Sequence, residues 1–223
     1  MQYTVEGELA QVANLTFNKG ETCWGSRGSL MAFDPDIQWT LKVPGGVEGA
    51  VRRVFSGEGV ALTYIEATRD NQKATLASNQ PGKMISWNLD EGAVITTRGS
   101  FIAAFGEKID IDVIIARRAG AALFGGAGLF LQKISGKGTV LVHGSGDFID
   151  YHLQAKESIL VSTGNLAAFS DTVDYDIQGI GGCRRILFGG EGLFMTKLTG
   201  PGRVLLQSLK RTTPTANKTT NAA

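Results

Sequence analysis

Two histidines, His143 and His152, are the side chains best suited to acid or base work near neutral pH, because imidazole changes charge in that range. His143 stands in Val142-His143-Gly144-Ser145-Gly146-Asp147, which gathers the residue types of a hydrolytic triad into one short stretch. Triads are assembled from separate chain elements, and the glycines on either side of Ser145 mark a turn. A solvated hairpin tip is therefore expected here, not a nucleophile with its base. His152 alternates with Asp150 and Gln154, which places it on a polar strand face.

Carboxylates and guanidinium groups recur more regularly. Asp34-Pro35-Asp36, Asp110-Ile111-Asp112 and Asp174-Tyr175-Asp176 each put two acids at i and i+2, so on a strand each pair could offer two carboxylates to a hard cation such as Ca²⁺. The wet face of an ordinary strand, with Ile111 and Tyr175 turned inward, explains the same pattern, and no metal is expected. An Arg pair follows each acidic stretch: Arg52-Arg53, Arg117-Arg118 and Arg184-Arg185. Their planar forks suit carboxylates and phosphates, so they either line a basic ring or meet the acidic strands of the next unit or subunit. A formal net charge of +1 favours the second arrangement. RNA binding would call for stacking aromatics among them, whereas Phe55, Phe124 and Phe188 sit in apolar company and belong in a core. These Asp and Arg pairs are the candidate interaction residues.

Strands must position these groups, and the chain repeats their plan. Leu123-Phe124-Gly125-Gly126-Ala127-Gly128-Leu129-Phe130 returns at Leu187–Phe194 and, in worn form, at Val54–Val60. Arg27-Gly28-Ser29-Leu30-Met31-Ala32-Phe33 returns at Arg98–Phe105 and Thr163–Phe169, each copy preceded by a glutamate, Glu21, Glu91 or Glu157. Repeats of this size bury their apolar faces against one another, and here they define units of about 1–70, 71–137 and 138–211. The apolar period is two, as where Ile149, Tyr151 and Leu153 share the face of a half-buried strand. Leu129 to Val142 reads as a hairpin turning at Ser135-Gly136-Lys137-Gly138, with Gly200-Pro201-Gly202 marking the same turn in the last unit. Short helical connections are expected at Val47–Val54 and Arg117–Leu123. The glycine motifs lack the strand-then-helix context of a phosphate loop, so turn and close-packing roles are expected of them.

With 30 glycines, five prolines, no Gly-X-Y period and 43% hydrophobic residues, the chain predicts an all-β domain with a sizeable core over residues 1–211. The tail 212–223 has no apolar period and is expected to be disordered. Cys23 and Cys183 are far apart and suggest reduced, buried thiols. The start lacks a secretory pattern, and the longest low-polarity run, Ala119 to Leu131, is too short to span a bilayer. A cytoplasmic protein is expected, with peripheral membrane contact left open.

Phe188-Gly189-Gly190-Glu191-Gly192-Leu193-Phe194, followed by Leu198-Thr199-Gly200-Pro201-Gly202-Arg203-Val204 and Leu206-Gln207-Ser208-Leu209, closely resembles the altered inheritance of mitochondria 24 family, long described as a domain of unknown function. The resemblance reaches to about Leu209. It implies a triplicated β-roll of the double-stranded β-helix type, similar to the tryptophan RNA-binding attenuation protein. The mitochondrial relative is associated with the inner membrane and with respiratory-complex and crista organisation, whereas prokaryotic members have no settled activity. The chain departs from the family pattern at Ala127, where a glutamate is usual, and in its polar end.

Catalysis depends on one asymmetric constellation, whereas every well-marked motif here occurs three times. The expectation is a non-catalytic scaffolding or protein-interaction protein with no cofactor, associating with itself or a protein partner through strand edges. The alternative is a small-ligand or RNA binding module, motivated by the attenuation-protein-like fold and the Arg pairs.

Overall fold

A computed structural model describes residues 1–44, 61–115, 130–179 and 194–211. Alternating β-branched or aromatic and polar residues form strands throughout, and among the described residues the only helical pieces are single 3-10 turns at Leu89–Glu91 and Thr163–Asn165. In chain order these are β1 (Gln2–Glu6), β2 (Val12–Phe17), β3 (Thr22–Gly25), β4 (Leu30–Phe33), β5 (Gln38–Lys42), β6 (Leu62–Glu66) and β7 (Gln72–Ala77). Then come β8 (Gly82–Asn88), β9 (Val94–Thr97), β10 (Phe101–Ile115) and β11 (Phe130–Ser145). Last are β12 (Phe148–Leu153), β13 (Ser158–Ser162), β14 (Leu166–Ser170), β15 (Asp174–Gly179), β16 (Phe194–Thr199) and β17 (Gly202–Gln207).

Among the described residues these strands form three antiparallel sheets: β1-β2-β7-β4, a long path β12-β17-β14-β9-β11-β10-β3-β6-β5 with β8 also on β11, and β13-β16-β15. Similar registers recur along the chain. Asn14 faces Thr75, Ser86 faces Leu141, and Asp150 faces Leu205. Leu30 pairs with Leu76 and, past a bulge, Ala32 with Thr75; Phe101, Ala103 and Leu166, Ala168 pass an identical bulge against β11 and β17. Strands distant in sequence also join edge to edge, with β10 on β3 (Ala103↔Gly25, Ala104↔Trp24) and β14 on β9 (Ala168↔Thr96, Phe169↔Ile95).

Among the described residues the core divides into three clusters. Leu15, Phe17, Ile65 and Leu76 pack with Ile102 and Phe105 of β10. Trp87, Phe101, Ile134 and Val140 pack with Ala167 and Ala168 of β14. Leu131, Leu153, Phe169, Leu198 and Val204 form the third cluster. The recurring glutamates tie the turns that precede β3 and β13: Glu21 accepts the Asn18 N–H and Glu157 the Gln154 N–H, both at 2.7 Å. Glu91 accepts instead from the Asn88 side-chain amide at 3.0 Å.

The expected hairpin at Gly136–Gly138 is not one. β11 runs unbroken from Phe130 to Ser145, and β10 bends beside it, with Gly106 opposite Gly138 at the corner. Gly138 has φ +132°, and a Cβ there would lie 2.3 Å from the Phe105 carbonyl oxygen. Glycine is needed because two backbones turn in contact, not because the chain reverses. The expected helical connections and the polar tail lie outside the described residues.

Candidate functional site

The stretch from His143 to Asp147 overturns the expectation of a solvated tip. β11 continues to Ser145, pairing His143 with Met84 and Ser145 with Gly82. The chain after β17 closes the other side, where the Leu209 N–H donates to the Ser145 carbonyl and the Ser208 N–H to that of Asp147. With protein on both sides, His143 is fully buried and Ser145 nearly so.

Arg211 organises this buried seam. Its NH1 group donates to the Arg98 carbonyl at 2.7 Å and to Ser100 Oγ at 2.8 Å; its NH2 group donates to His143 Nδ1 and Ser145 Oγ, each at 3.2 Å. Room for the guanidinium comes from Gly99 at φ +75°, where a Cβ would stand 3.2 Å from it. Guanidinium only donates, so Nδ1 accepts and the neutral ring carries its proton on Nε2. Burial first, and then the Arg211 charge, push the His143 pKa down to about 4, against a weaker opposing pull from the Gln80 backbone; Nε2 completes no hydrogen bond. Burial likewise lowers Arg211 to about 10.

Ser145 Oγ donates to Gln80 Oε1 at 2.8 Å and accepts from Arg211, while Asp147 is exposed. The three triad residue types therefore do not form a nucleophile with a base, and the seam's visible work is cohesive. Arg211→Lys keeps the charge but reaches fewer acceptors, so it should cost about 1–2 kcal/mol and lower the urea midpoint. An unchanged midpoint would show that the fork geometry contributes nothing.

The acidic pairs are not three copies of one feature. Asp34 and Asp36 lie in the turn between β4 and β5, where Asp34 Oδ2 accepts the Lys73 N–H at 2.9 Å and Asp36 pairs with Arg69 at 2.9 Å. Register assigns the true counterparts, because Asp110 faces Ser135 and Asp174 faces Thr199 as Gln38 faces Glu66. Asp110 and Asp112 are exposed beside buried Ile111 and Val113, Asp174 is exposed and Asp176 half-buried. Among the described residues no group of three or more His, Cys, Asp or Glu side chains comes together.

Arg52, Arg53, Arg117, Arg118, Arg184 and Arg185 lie outside the described residues, as does Cys183. Cys23 is buried, and burial pushes its thiol up to about 12, against a smaller lowering by the Ala104 backbone. His152 is on the surface, its Nδ1 3.8 Å from Asp150, whose carboxylate the Arg203 fork holds at 2.7–3.1 Å. The same guanidinium covers the Trp87 ring, 4.9 Å from its centroid.

The largest unsatisfied features are apolar, and sequence reasoning missed them. Met31 and Phe33 on β4, which ends the four-stranded sheet, and Trp39 and Leu41 on β5, which ends the long one, are exposed. Ile149 and Tyr151 on β12, at the opposite end of the long sheet, and Leu160 on β13, which ends the three-stranded sheet, line a groove of about 590 Å³ beside β17. The face expected to be half-buried is thus covered only at Leu153. One signal was available: the motif copies align Met31 and Phe33 with residues that a repeat ought to bury.

The family model described as Mitochondrial biogenesis AIM24 matches residues 3–209. The chain belongs to the AIM24 family. An uncharacterized protein of Streptococcus pyogenes serotype M6 is 27% identical over 221 residues, a match spanning 94% of this chain and 86% of that protein. The crystal structure of Streptococcus pyogenes protein SPYM3_0169 shares the fold, with a TM-score of 0.77 and 24% identity over 94% of both chains. In this AIM24-family chain no helix among the described residues is long and apolar enough to cross a membrane.

Proposed function

We propose that this AIM24-family chain is a non-catalytic scaffolding and protein-interaction protein of the cytoplasm, built as one triplicated β-roll. The roll is supported by the recurring registers and by the two edge joints between units. The observation that carries the interaction role is the pairing of a tied-up polar interior with exposed apolar side chains on β4, β5, β12 and β13, strands that end their sheets among the described residues. His143, Ser145 and Arg211 hold one another, whereas Trp39 and Leu160 lie open.

A photo-crosslinking amino acid placed at Trp39 or at Leu160 should yield protein adducts of defined mass in cells, and one at exposed Asp90 should not. Absence of adducts from both apolar positions would end the proposal. The alternative of a ligand or RNA binding module rests on Arg pairs outside the described residues, while Arg69 and Arg203 are engaged by Asp36 and Asp150. RNA binding that weakens steeply with salt would favour that alternative.

A further inference from the structure

Twice within the chain, a unit offers one strand edge to the next. The edge of β3 receives β10, and the edge of β9 receives β14. The third edge of this kind is β13, which among the described residues pairs only with β16; the first strand of the kind that is added, as β10 and β14 are, is β4, which pairs only with β7. Among the described residues both therefore end their sheets.

The side chains at these two edges repeat the same asymmetry. Register makes Met31 the counterpart of Ile102 and Ala167, which plug the core of the preceding unit and are 2% and 0% exposed; Met31 is 68% exposed. Leu160 is the counterpart of Ile95, which is 5% exposed under β14; Leu160 is 54% exposed. Tyr151 on β12 matches buried Leu15 and Trp87, and Trp39 on β5 matches buried Ile111. The groove beside Leu160 is the seat that Ile102 fills in the first core and Ala167 in the second. The flanking polar contact recurs as well. Ser26 N–H donates to the Ile102 carbonyl at 2.8 Å, Thr97 Oγ1 donates to the Ala167 carbonyl at 3.1 Å, and Ser162 holds the third position.

We infer that a second copy of this chain docks head to tail, its β4 adding antiparallel to β13 and its Met31 entering the groove beside Leu160. The register that follows is Ala32 opposite Val161 and Phe33 opposite Leu160. This joins β1-β2-β7-β4 of one copy to β13-β16-β15 of the other in one seven-stranded sheet, the arrangement that β10 on β3 and β14 on β9 already show within a chain. The contact is heterologous, so each copy keeps one open end, and assembly proceeds to a closed ring or a filament. The inference rests on the interaction reading above and names the partner.

The test uses the full chain with Met31→Asp and Leu160→Asp, both at exposed positions where folding is expected to survive, checked by circular dichroism. Light scattering should find multiple copies for the wild type. Each variant should be a monomer, with association weakened at least about 30-fold, as for loss of one buried anchor. An equimolar mixture of the two variants should form a dimer and stop there, because each retains one intact face.

A monomeric wild type overturns the inference, as does either variant associating by itself, which would mean like edges pair. Crosslinks from Trp39 or Leu160 to a different protein, with the purified chain monomeric, would overturn it while leaving the scaffolding reading in place.

Discussion

Gly138→Ala is expected to lower stability by on the order of 4 kcal/mol, the largest effect of any single small substitution considered for this chain. Two penalties combine. Alanine at φ +132° sits in backbone space that L side chains rarely adopt, and its methyl would meet the Phe105 carbonyl oxygen at 2.3 Å. Neither neighbour can retreat easily, because Phe105 is also paired with Cys23 of β3. For a chain of this size the melting temperature should fall by roughly 10 °C. Gly28→Ala is the control, since it also has positive φ but nothing within 4 Å of its Cβ position. Equal losses for the two variants would refute the steric account of the corner.

Acid should weaken the protein through His143. Its pKa is about 4 in the fold and near its ordinary 6.5 in the unfolded chain. Above pH 6.5 both states hold a neutral ring, and the full contribution of the seam is present. Between pH 6.5 and 4 only the unfolded chain takes up the proton, so stability falls as pH falls; below about 4 the loss is complete. At about 1.4 kcal/mol per pH unit, that gap amounts to about 3 kcal/mol. Urea titrations of the wild type and His143→Gln across this range should diverge, with the variant flatter. Parallel curves would mean that His143 is not held neutral by burial and Arg211.

The two effects differ in how far they could be read from the chain. Alternation in the strands, the motif at Arg27–Phe33, Arg98–Phe105 and Thr163–Phe169 and the glutamates before β3 and β13 are local or repeated signals, and they lead into strands and turns as they suggested; the Phe-Gly-Gly copies lie almost wholly outside the described residues. Gly136-Lys137-Gly138 was misread because a hairpin and a two-strand corner need the same positive-φ residues. Only the presence of β10 alongside β11 distinguishes them. The Asp34–Asp36 pair was placed with the wrong partners for a related reason: spacing in sequence ignores the bulge in β4 and the turn at Pro35, whereas strand register does not.

Side-chain period and motifs a few residues long were enough for the all-β class and the family, because both are written within short stretches of chain. Tertiary structure alone decided the state of His143, since the guanidinium beside it arrives from 68 positions away. It also decided which apolar strands stay open. Among the described residues β4 ends one sheet and β13 another, whereas β10 and β14, at the same register as β4, cover β3 and β9. Burial is a property of neighbours, and repeated sequence does not say which copy lacks one.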